Sequence, residues 1–255
     1  MEGIHIALAS EPVFHLWGLP ITNSLLLTWV VIAILLVLGF IVGRRPKLVP
    51  GRLQGAFESI FEVLLDYMAE TLESRKLALR YFPLIATIFL FIFTANMVTF
   101  IPGIESVGVT HDGHFTALLR PVNTDLNVTL ALAMIAFLVI ELSGIFTLGL
   151  LKYGSKFVTV SSPMNAAVGL LELIGNIARL ISFSFRLFGN VFAGHVLIVV
   201  IIFFLPLVVP VPLMLFEVFV GFLQAAIFSL LTLVFIKLAI DEPHGASEGQ
   251  AHGAH

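Results

Sequence analysis

Two arginines lie in the middle of an apolar segment, where a charge is hardest to keep. Arg179 and Arg186 fall within residues 164–204, a run that is otherwise almost free of charge. Arginine at the centre of a bilayer costs from about 3 to more than 10 kcal/mol, so it normally faces other helices or water and marks an ion path. The alternatives are a structural ion pair or a side chain that extends to the lipid headgroups, and they stay open for Arg179 in particular. Guanidinium keeps its proton, so Arg186 can act as a fixed positive charge but cannot relay protons.

The spacing of these charges places them on one side of a helix. Glu172, Arg179 and Arg186 are seven residues apart, which puts them on a single helical stripe. Small residues follow the same period beside it: Gly175, Ser182 and Gly189. Because small side chains let another helix approach closely, the stripe is predicted to be an interface with its charge directed at a partner.

A second long apolar segment follows after a proline-rich corner at Pro206, Pro210 and Pro212. The two segments predict a hairpin of two long helices. With the corner centred near Pro206, residues of equal depth have numbers that sum to about 412, since each residue advances the same 1.5 Å along either helix. This register predicts that His195 faces Glu217.

The same register predicts that Arg186 comes close to Gln224, which shares a helical face with Glu217 seven residues earlier. His195 and Glu217 can both titrate near neutrality when buried, so together they suggest a proton relay. The alternative is a mutually satisfied polar pair that only joins the two helices.

Composition indicates that lipid is the solvent for most of the chain. Hydrophobic residues make up 59% and charged residues 11%, well below the charged share of a soluble domain. The chain has no cysteine, which excludes disulfides and thiolate chemistry. Five apolar stretches predict a single-domain, all-α integral membrane protein with about five membrane-embedded helices: 22–43, 81–101, 126–151, 164–204 and 213–240. The fourth is about 60 Å long as a helix, twice the hydrocarbon thickness, so it breaks or tilts strongly.

The segment 52–80 is amphipathic, with apolar residues at helical spacing opposite Glu58, Glu62, Asp66 and Glu70. It is predicted either to lie on the inner membrane surface or to pack against another subunit. Residues 1–21 are predicted to form an outer N-terminal segment, and 241–255 a flexible tail.

The distribution of positive charge predicts the orientation. Lys and Arg concentrate between the first and second stretches, between the third and fourth, and near the end of the fifth. Cytoplasmic loops carry this excess, so the N-terminus is predicted to lie outside and the C-terminus inside. The first Lys or Arg is Arg44, so the N-terminus lacks the basic region of a secretory signal. The N-terminus also lacks the look of a transit peptide, and together with the long outer loop this favours a bacterial plasma membrane over an organelle.

The residues around Arg186 resemble a known family. The run from Ser184 to His195 (SFRLFGNVFAGH) resembles the signature of the a subunit of bacterial F-type ATP synthases. Two further runs agree in order: Asn96 to Pro102 (NMVTFIP) and Asp125 to Thr129 (DLNVT). The resemblance covers nearly the whole chain, although no motif accounts for Glu141 or Arg179.

The resemblance implies a mechanism. A family a subunit lies beside a rotating ring of c subunits, each with a carboxylate in the membrane, and provides two proton half-channels. Arg186 matches the family's essential arginine, a fixed counter-ion and seal between the half-channels. Polar residues match positions associated with proton access: Glu172, Asn190, His195, Glu217 and Gln224. Further candidates are Arg179, Glu141, Asp125 and Asn127.

The implied partners are the c-ring, b-type peripheral stalk subunits, the rest of the F1F0 complex, lipid and protons, with no nucleic acid. The chain shows no glycine-rich phosphate loop, so we expect no nucleotide site, and we expect no cofactor or metal. A secondary transporter would predict repeated halves, and an intramembrane enzyme would predict metal ligands or a nucleophile with its base. The sequence shows neither pattern.

Overall fold

The computed structural model of the protein describes residues 10–16, 18–44, 51–101, 103–111, 114–154, 163–205 and 208–241. Its helices are α1 (Asn23–Gly43), α2 (Arg52–Thr71), α3 (Arg75–Val98), α4 (Leu126–Leu148), α5 (Leu150–Gly154), α6 (Pro163–Phe204) and α7 (Pro210–Ile240). Two short antiparallel hairpins are formed by β1 (Pro12–Leu16) with β2 (Leu19–Thr22), and by β3 (Gly108–His111) with β4 (His114–Ala117). Single 3-10 turns occupy Ile104–Ser106 and Val122–Thr124.

Local sequence explains where several helices begin and end. The side chains of Thr22, Ser74 and Asp125 accept bonds from the first free backbone N–H groups of α1, α3 and α4. Gly149 has a φ of 85°, which other residues rarely adopt, and it separates α4 from α5. Pro210 begins α7, where its missing N–H costs nothing.

Five helices are long and apolar enough to cross a membrane, namely α1, α3, α4, most of α6, and α7. This confirms the predicted all-α membrane fold. At 42 residues α6 is about 63 Å long, which agrees with the length expected for the first arm of the hairpin.

The structure divides the chain differently from the prediction at several element boundaries. The predicted surface helix 52–80 is interrupted at residues 72–74, and the membrane helix begins at Arg75 rather than at Tyr81. Glu73 has a φ of 52° at this turn, and the cap at Ser74 starts the next helix. The third predicted stretch ends at Leu148 rather than 151. The predicted tail lies outside the described residues beyond Asp241.

The core lies where α7 packs between α3, α4 and α6. Large, fully buried apolar side chains come from all four helices: Ile85, Ile92, Ile140, Leu187, Phe228 and Leu233. The rings of Phe183 on α6 and Phe228 on α7 lie 5.0 Å apart at this contact. In lipid such close packing, rather than exclusion of water, holds helices together.

Polar contacts mark the two ends of the bundle. Lys237 Nζ donates to Glu73 Oε1 at 2.6 Å, which joins the end of α7 to the turn between α2 and α3. We call this end, where α1 also finishes at Arg44, the basic end. At the other end, which we call the corner end, Asp125 Oδ2 accepts bonds from Ser24 Oγ at 2.5 Å and from Ser10 Oγ at 2.6 Å.

Asp125 therefore joins three parts of the chain at the corner end. Burial raises the pKa of its carboxyl. The hydrogen bonds from Ser10, Ser24 and the N–H of Asn127, together with the nearby Arg120 guanidinium, lower the pKa by more, so that it lies below the ordinary value of 3.8. A carboxylate with several charge-assisted bonds is a strong tie between the N-terminal segment and α4.

We expect Asp125→Asn to destabilise the purified protein by about 2 kcal/mol at neutral pH, the worth of a hydrogen bond to a charged group. Because the folded pKa is below the unfolded pKa, the carboxylate stabilises the fold above the unfolded pKa and loses this effect as pH falls through the folded pKa. Thermal unfolding in detergent should show a Tm difference that is full above about pH 5 and shrinks in stronger acid. Asn127→Ala is the control, since only its backbone contacts Asp125. A difference independent of pH would contradict this role.

Candidate functional site

Arg186 lies on α6 near its middle, half-buried at the edge of the bundle. Its Nη2 donates to Ser182 Oγ one turn earlier, at 3.2 Å. Among the residues that the structure describes, no carboxylate forms an ion pair with this guanidinium. The positive charge at the centre of the apolar helix thus lacks a counter-charge within the described chain.

A polar contact between α6 and α7 lies one turn beyond Arg186. Asn190 Nδ2 donates to Gln224 Oε1 at 2.9 Å, and Gln224 is only 2% exposed. The hydrogen-bond partner of Gln224 on α6 is thus Asn190, one turn from Arg186, and the approach of Arg186 itself to Gln224 stays a prediction. The hairpin register is close to the prediction, but depth alone does not fix which face of a helix meets its neighbour. The face of α6 that packs in the core carries Phe183 and Leu187, and Arg186 lies at its edge.

His195 and Glu217 line the same small cavity between α6, α7 and α3, as their matched depth predicted. The cavity has a volume of about 20 Å³, room for about one water. Gly194 packs directly against the carboxyl group of Glu217, so that a Cβ at this position would overlap it. The absence of a side chain at residue 194 is what lets Glu217 lie against α6.

Glu217 also borders a larger cavity, of about 320 Å³, on its other side. Asn190 is the other polar side chain that lines it, and the remaining lining residues are apolar or glycine. The carboxyl group of Glu217 therefore lies between two spaces. One leads to His195 and α3, and the other leads along α6 toward Asn190.

Two further asparagines connect the small cavity to the corner end, and the sequence prediction did not include them as site residues. Asn123 Nδ2 donates to Asn96 Oδ1 at 2.7 Å, and Asn96 Nδ2 donates to the carbonyl of Gly221 at 2.9 Å. Asn96 lines the cavity together with His195 and Glu217. The sequence signal for Asn96 is a polar amide in the last turns of an apolar span, at the start of the NMVTFIP run.

Some buried polar atoms of this region have no partner within the described protein. Gln224 Nε2 and Asn123 Oδ1 are both buried, and neither forms a hydrogen bond there. An unpaired buried polar atom costs about 1 to 3 kcal/mol, so such atoms usually meet water or a ligand. They lie on either side of the His195–Glu217 cavity along the polar series Asn123, Asn96, Gln224 and Asn190.

Glu141, an unexplained acid on α4, is bound on both carboxylate oxygens. Tyr153 Oη donates to Oε2 at 2.8 Å, and Asn176 Nδ2 donates to Oε1 at 3.0 Å. Burial, followed by the contact with Glu141, raises the pKa of Tyr153, which keeps its hydroxyl protonated as a donor. Gly144 leaves room for the tyrosine ring. Glu141 thus joins α4, α5 and α6 toward the basic end.

Glu172 and Arg179 lie on α6 on either side of Asn176. The guanidinium of Arg179 lies over the ring of Phe235 at 4.3 Å, a cation–π contact with α7. Both charges act on Tyr153, with opposite effects on its pKa. The two residues therefore lie near the Glu141 group. Asp125 and Asn127 lie apart from it, at the start of α4.

The stripe of small residues is open in this chain. A Cβ added at Gly175 or Gly189 would meet no atom within 4 Å, and Ser182 is exposed. Large apolar side chains beside the stripe are exposed as well, among them Leu171, Ile174, Ile181 and Phe185. This side of α6 is therefore not covered by the helices that the structure describes. The residues that the structure describes also contain no cluster of three or more His, Asp or Glu side chains that could bind a metal ion.

Comparison with known proteins agrees with this architecture. Residues 25–237 match the family described as ATP synthase A chain. ATP synthase subunit a 2 of Syntrophotalea carbinolica is 34% identical over 218 residues, 85% of each chain. ATP synthase subunit a 3 of Pelobacter propionicus is 35% identical over 85% of this chain and 87% of its own. ATP synthase subunit a of Geotalea daltonii is 34% identical over 87% and 89%.

These matches extend over all five spans and include the helices that carry Arg186 and Glu217. The chain therefore belongs to the ATP synthase A chain family, the a subunits of the proton-translocating F0 sector, as a non-catalytic membrane component of the synthase.

Proposed function

We propose that this a subunit carries protons across a bacterial plasma membrane through two half-channels that meet a ring of c subunits, with Arg186 as the fixed counter-ion and seal between them. The observation that carries the proposal is the missing counter-charge of Arg186. A guanidinium within an apolar helix is costly without a partner, and no described carboxylate of this chain supplies one. The partner is then an acid on another subunit.

The uncovered side of α6 supports a moving partner. Gly175, Ser182 and Gly189 form a smooth, open stripe beside Arg186, bordered by exposed apolar residues. Small residues let a second helix approach closely. Because they do not interlock with its side chains, the second helix can slide past α6. A ring of c subunits fits this side, each bringing a carboxylate that ionises next to the fixed positive charge.

The two groups of polar residues support two separate half-channels. His195, Glu217 and Gln224, with Asn96 and Asn123, lie between Arg186 and the corner end. We assign them to the half-channel from the outside. Asn190 borders the larger cavity and lies closest to Arg186 along this path. Arg186 stays charged at physiological pH, so it blocks a proton from passing directly between the two paths.

Toward the basic end, Glu172 is the acid that remains near the open stripe, and we assign it to the half-channel on the inside. Arg179 is held against Phe235, and Glu141 is bound by Tyr153 and Asn176. These contacts support structural roles, in which both residues fix the inner half of α6 where Glu172 lies.

The orientation follows from charge. The basic end carries Arg44, Arg75 and Lys237, so it faces the cytoplasm, with the N-terminus outside and the C-terminus inside. The c-ring then meets α6, and b-type peripheral stalk subunits hold the a subunit against rotation. The remainder of the F1F0 complex binds the nucleotides.

We expect Arg186→Ala in the assembled complex to reduce proton-driven ATP synthesis by about 100-fold or more, because loss of one partner from a buried charge pair costs about 3 kcal/mol. ATP hydrolysis by the soluble F1 part should remain. The measurement is ATP synthesis in vesicles energised by an imposed proton gradient.

Arg179→Ala is the matched control for this test, since it removes the other arginine of the same helix. It should retain most of the synthesis rate. Near-normal synthesis in Arg186→Ala would sink the proposal, whatever the control shows.

We expect Gly194→Ala to slow proton flux because its Cβ displaces the carboxyl group of Glu217. Passive proton flux through F0 in vesicles measures the effect across a range of pH. In a Glu217→Ala background the same change at residue 194 should have little further effect, since the group it displaces is gone. Additive losses in the double variant would show that Gly194 acts through packing alone.

We expect Glu141→Ala to destabilise the subunit by about 2 to 4 kcal/mol, because it leaves the Tyr153 hydroxyl and the Asn176 amide without an acceptor. Thermal unfolding measures the loss, and Glu70→Ala, which removes an exposed acid from α2, is the control. Glu141→Gln retains an acceptor and should conduct protons normally. A stable Glu141→Gln variant with blocked flux would instead assign Glu141 to the proton path.

A further inference from the structure

An apolar groove lies between α1, α2 and α3, on the far side of the bundle from the proposed proton path. It has a volume of about 460 Å³. Its walls are Leu36, Gly39 and Val42 with neighbours on α1, Phe57 and Phe61 on α2, and Leu90 and Phe91 with Thr87 on α3. Thr87 is the polar residue among them, and its hydroxyl already donates to the carbonyl of Pro83 at 2.6 Å. The walls therefore offer only apolar contact.

The groove exists because α1 packs against α3 only along its first half. Leu27 and Val31 are fully buried there, whereas Leu36, Phe40 and Ile41 are more than 60% exposed. Farther along, α2 extends beneath the gap with Phe57 and Phe61, and the ring of Phe61 meets Phe82 of α3 at 5.5 Å. The part of the groove toward the basic end therefore has the aromatic rings of α2 as its floor.

Two cations lie at the basic end of the groove. Arg44 follows directly after α1, and its guanidinium lies over the ring of Phe40 at 5.1 Å. Arg80 is on α3 two turns before Thr87, so it shares the groove-facing stripe of that helix. Both side chains are exposed, and among the described residues neither forms an ion pair. Because α1 and α3 run antiparallel, Arg44 after the end of α1 and Arg80 near the start of α3 lie at the same end of the groove, one on each wall.

The volume of the groove indicates which kind of molecule can occupy it. An α-helix is about 10 Å across with its side chains, so the bulk of a membrane-spanning helix would lie outside a groove of about 460 Å³. A single extended hydrocarbon chain is much thinner. Basic residues beside a pocket between membrane helices on the cytoplasmic side are typical of sites for anionic headgroups.

We propose that this groove binds an anionic phospholipid, with one acyl chain between α1 and α3 and its phosphate between Arg44 and Arg80. The lipid completes the packing of the second half of α1 against the bundle. A zwitterionic lipid presents the same hydrocarbon but no net charge to the two guanidinium groups, so the site distinguishes lipids by headgroup. The inference does not depend on the proposed proton path.

The test uses the intact synthase complex reconstituted in vesicles of phosphatidylcholine and phosphatidylglycerol. A phosphatidylglycerol probe carries a diazirine in its acyl chain, and a phosphatidylcholine probe carries the same diazirine. After irradiation, labelled peptides are mapped by mass spectrometry. We expect the phosphatidylglycerol probe to label residues 32–43 and 87–91 in preference to the phosphatidylcholine probe. Arg44→Gln and Arg80→Gln should each reduce that preference about fivefold.

Two further variants separate the groove from the general charge of the surface. Gly39→Phe places a ring in the groove, where a Cβ added at residue 39 meets no atom within 4 Å, and it should abolish labelling with both arginines intact. Arg75→Gln removes a cation of the same end that is paired with Asp66, and it should leave labelling unchanged. Equal labelling by the two probes, or absence of label from the groove in the assembled complex because a partner subunit occupies it, would overturn the proposal.

Discussion

Placement of charge in hydrocarbon is the constraint on which the rest of this structure depends. An ionisable group within a span needs a partner or water. Glu141 is bound by Tyr153 and Asn176, and Arg179 lies against Phe235. Arg186 has a serine hydroxyl as its neighbour and, among the described residues, no carboxylate in an ion pair. The contacts of Asn176 and Arg179 anchor the half of α6 that precedes Arg186.

The packing around Glu217 leaves space beside a carboxyl group within the spans, as the proposed proton path requires. Gly194 lets the carboxyl group approach α6, and Asn96 joins α3 to α7 through the carbonyl of Gly221. These close approaches leave small spaces and unpaired amide atoms instead of a filled core. Water can occupy such spaces, while apolar packing by residues such as Leu187 and Phe228 holds the hairpin together beside them.

The side of the bundle formed by α1 and α2 is packed differently. Helix α1 carries no charge, and among the described residues it packs against the bundle along only half its length. The amphipathic α2 packs on α3 through Met68, followed by the buried Leu72, while its acids stay exposed. Whether the polar face of this helix meets the membrane surface or another subunit stays a prediction.

The sequence by itself determined the five apolar spans, the hairpin and the central place of Arg186, because length, composition and a single misplaced charge are local properties. The depth match of His195 with Glu217 also followed, since rise per residue is constant along a helix. Only the tertiary structure decided which faces meet. It paired Asn190 with Gln224, joined Glu141 to Asn176, and brought Asn96 into the cavity. Rotation of a helix about its axis depends on side-chain packing with distant helices, and no periodicity within one segment specifies it.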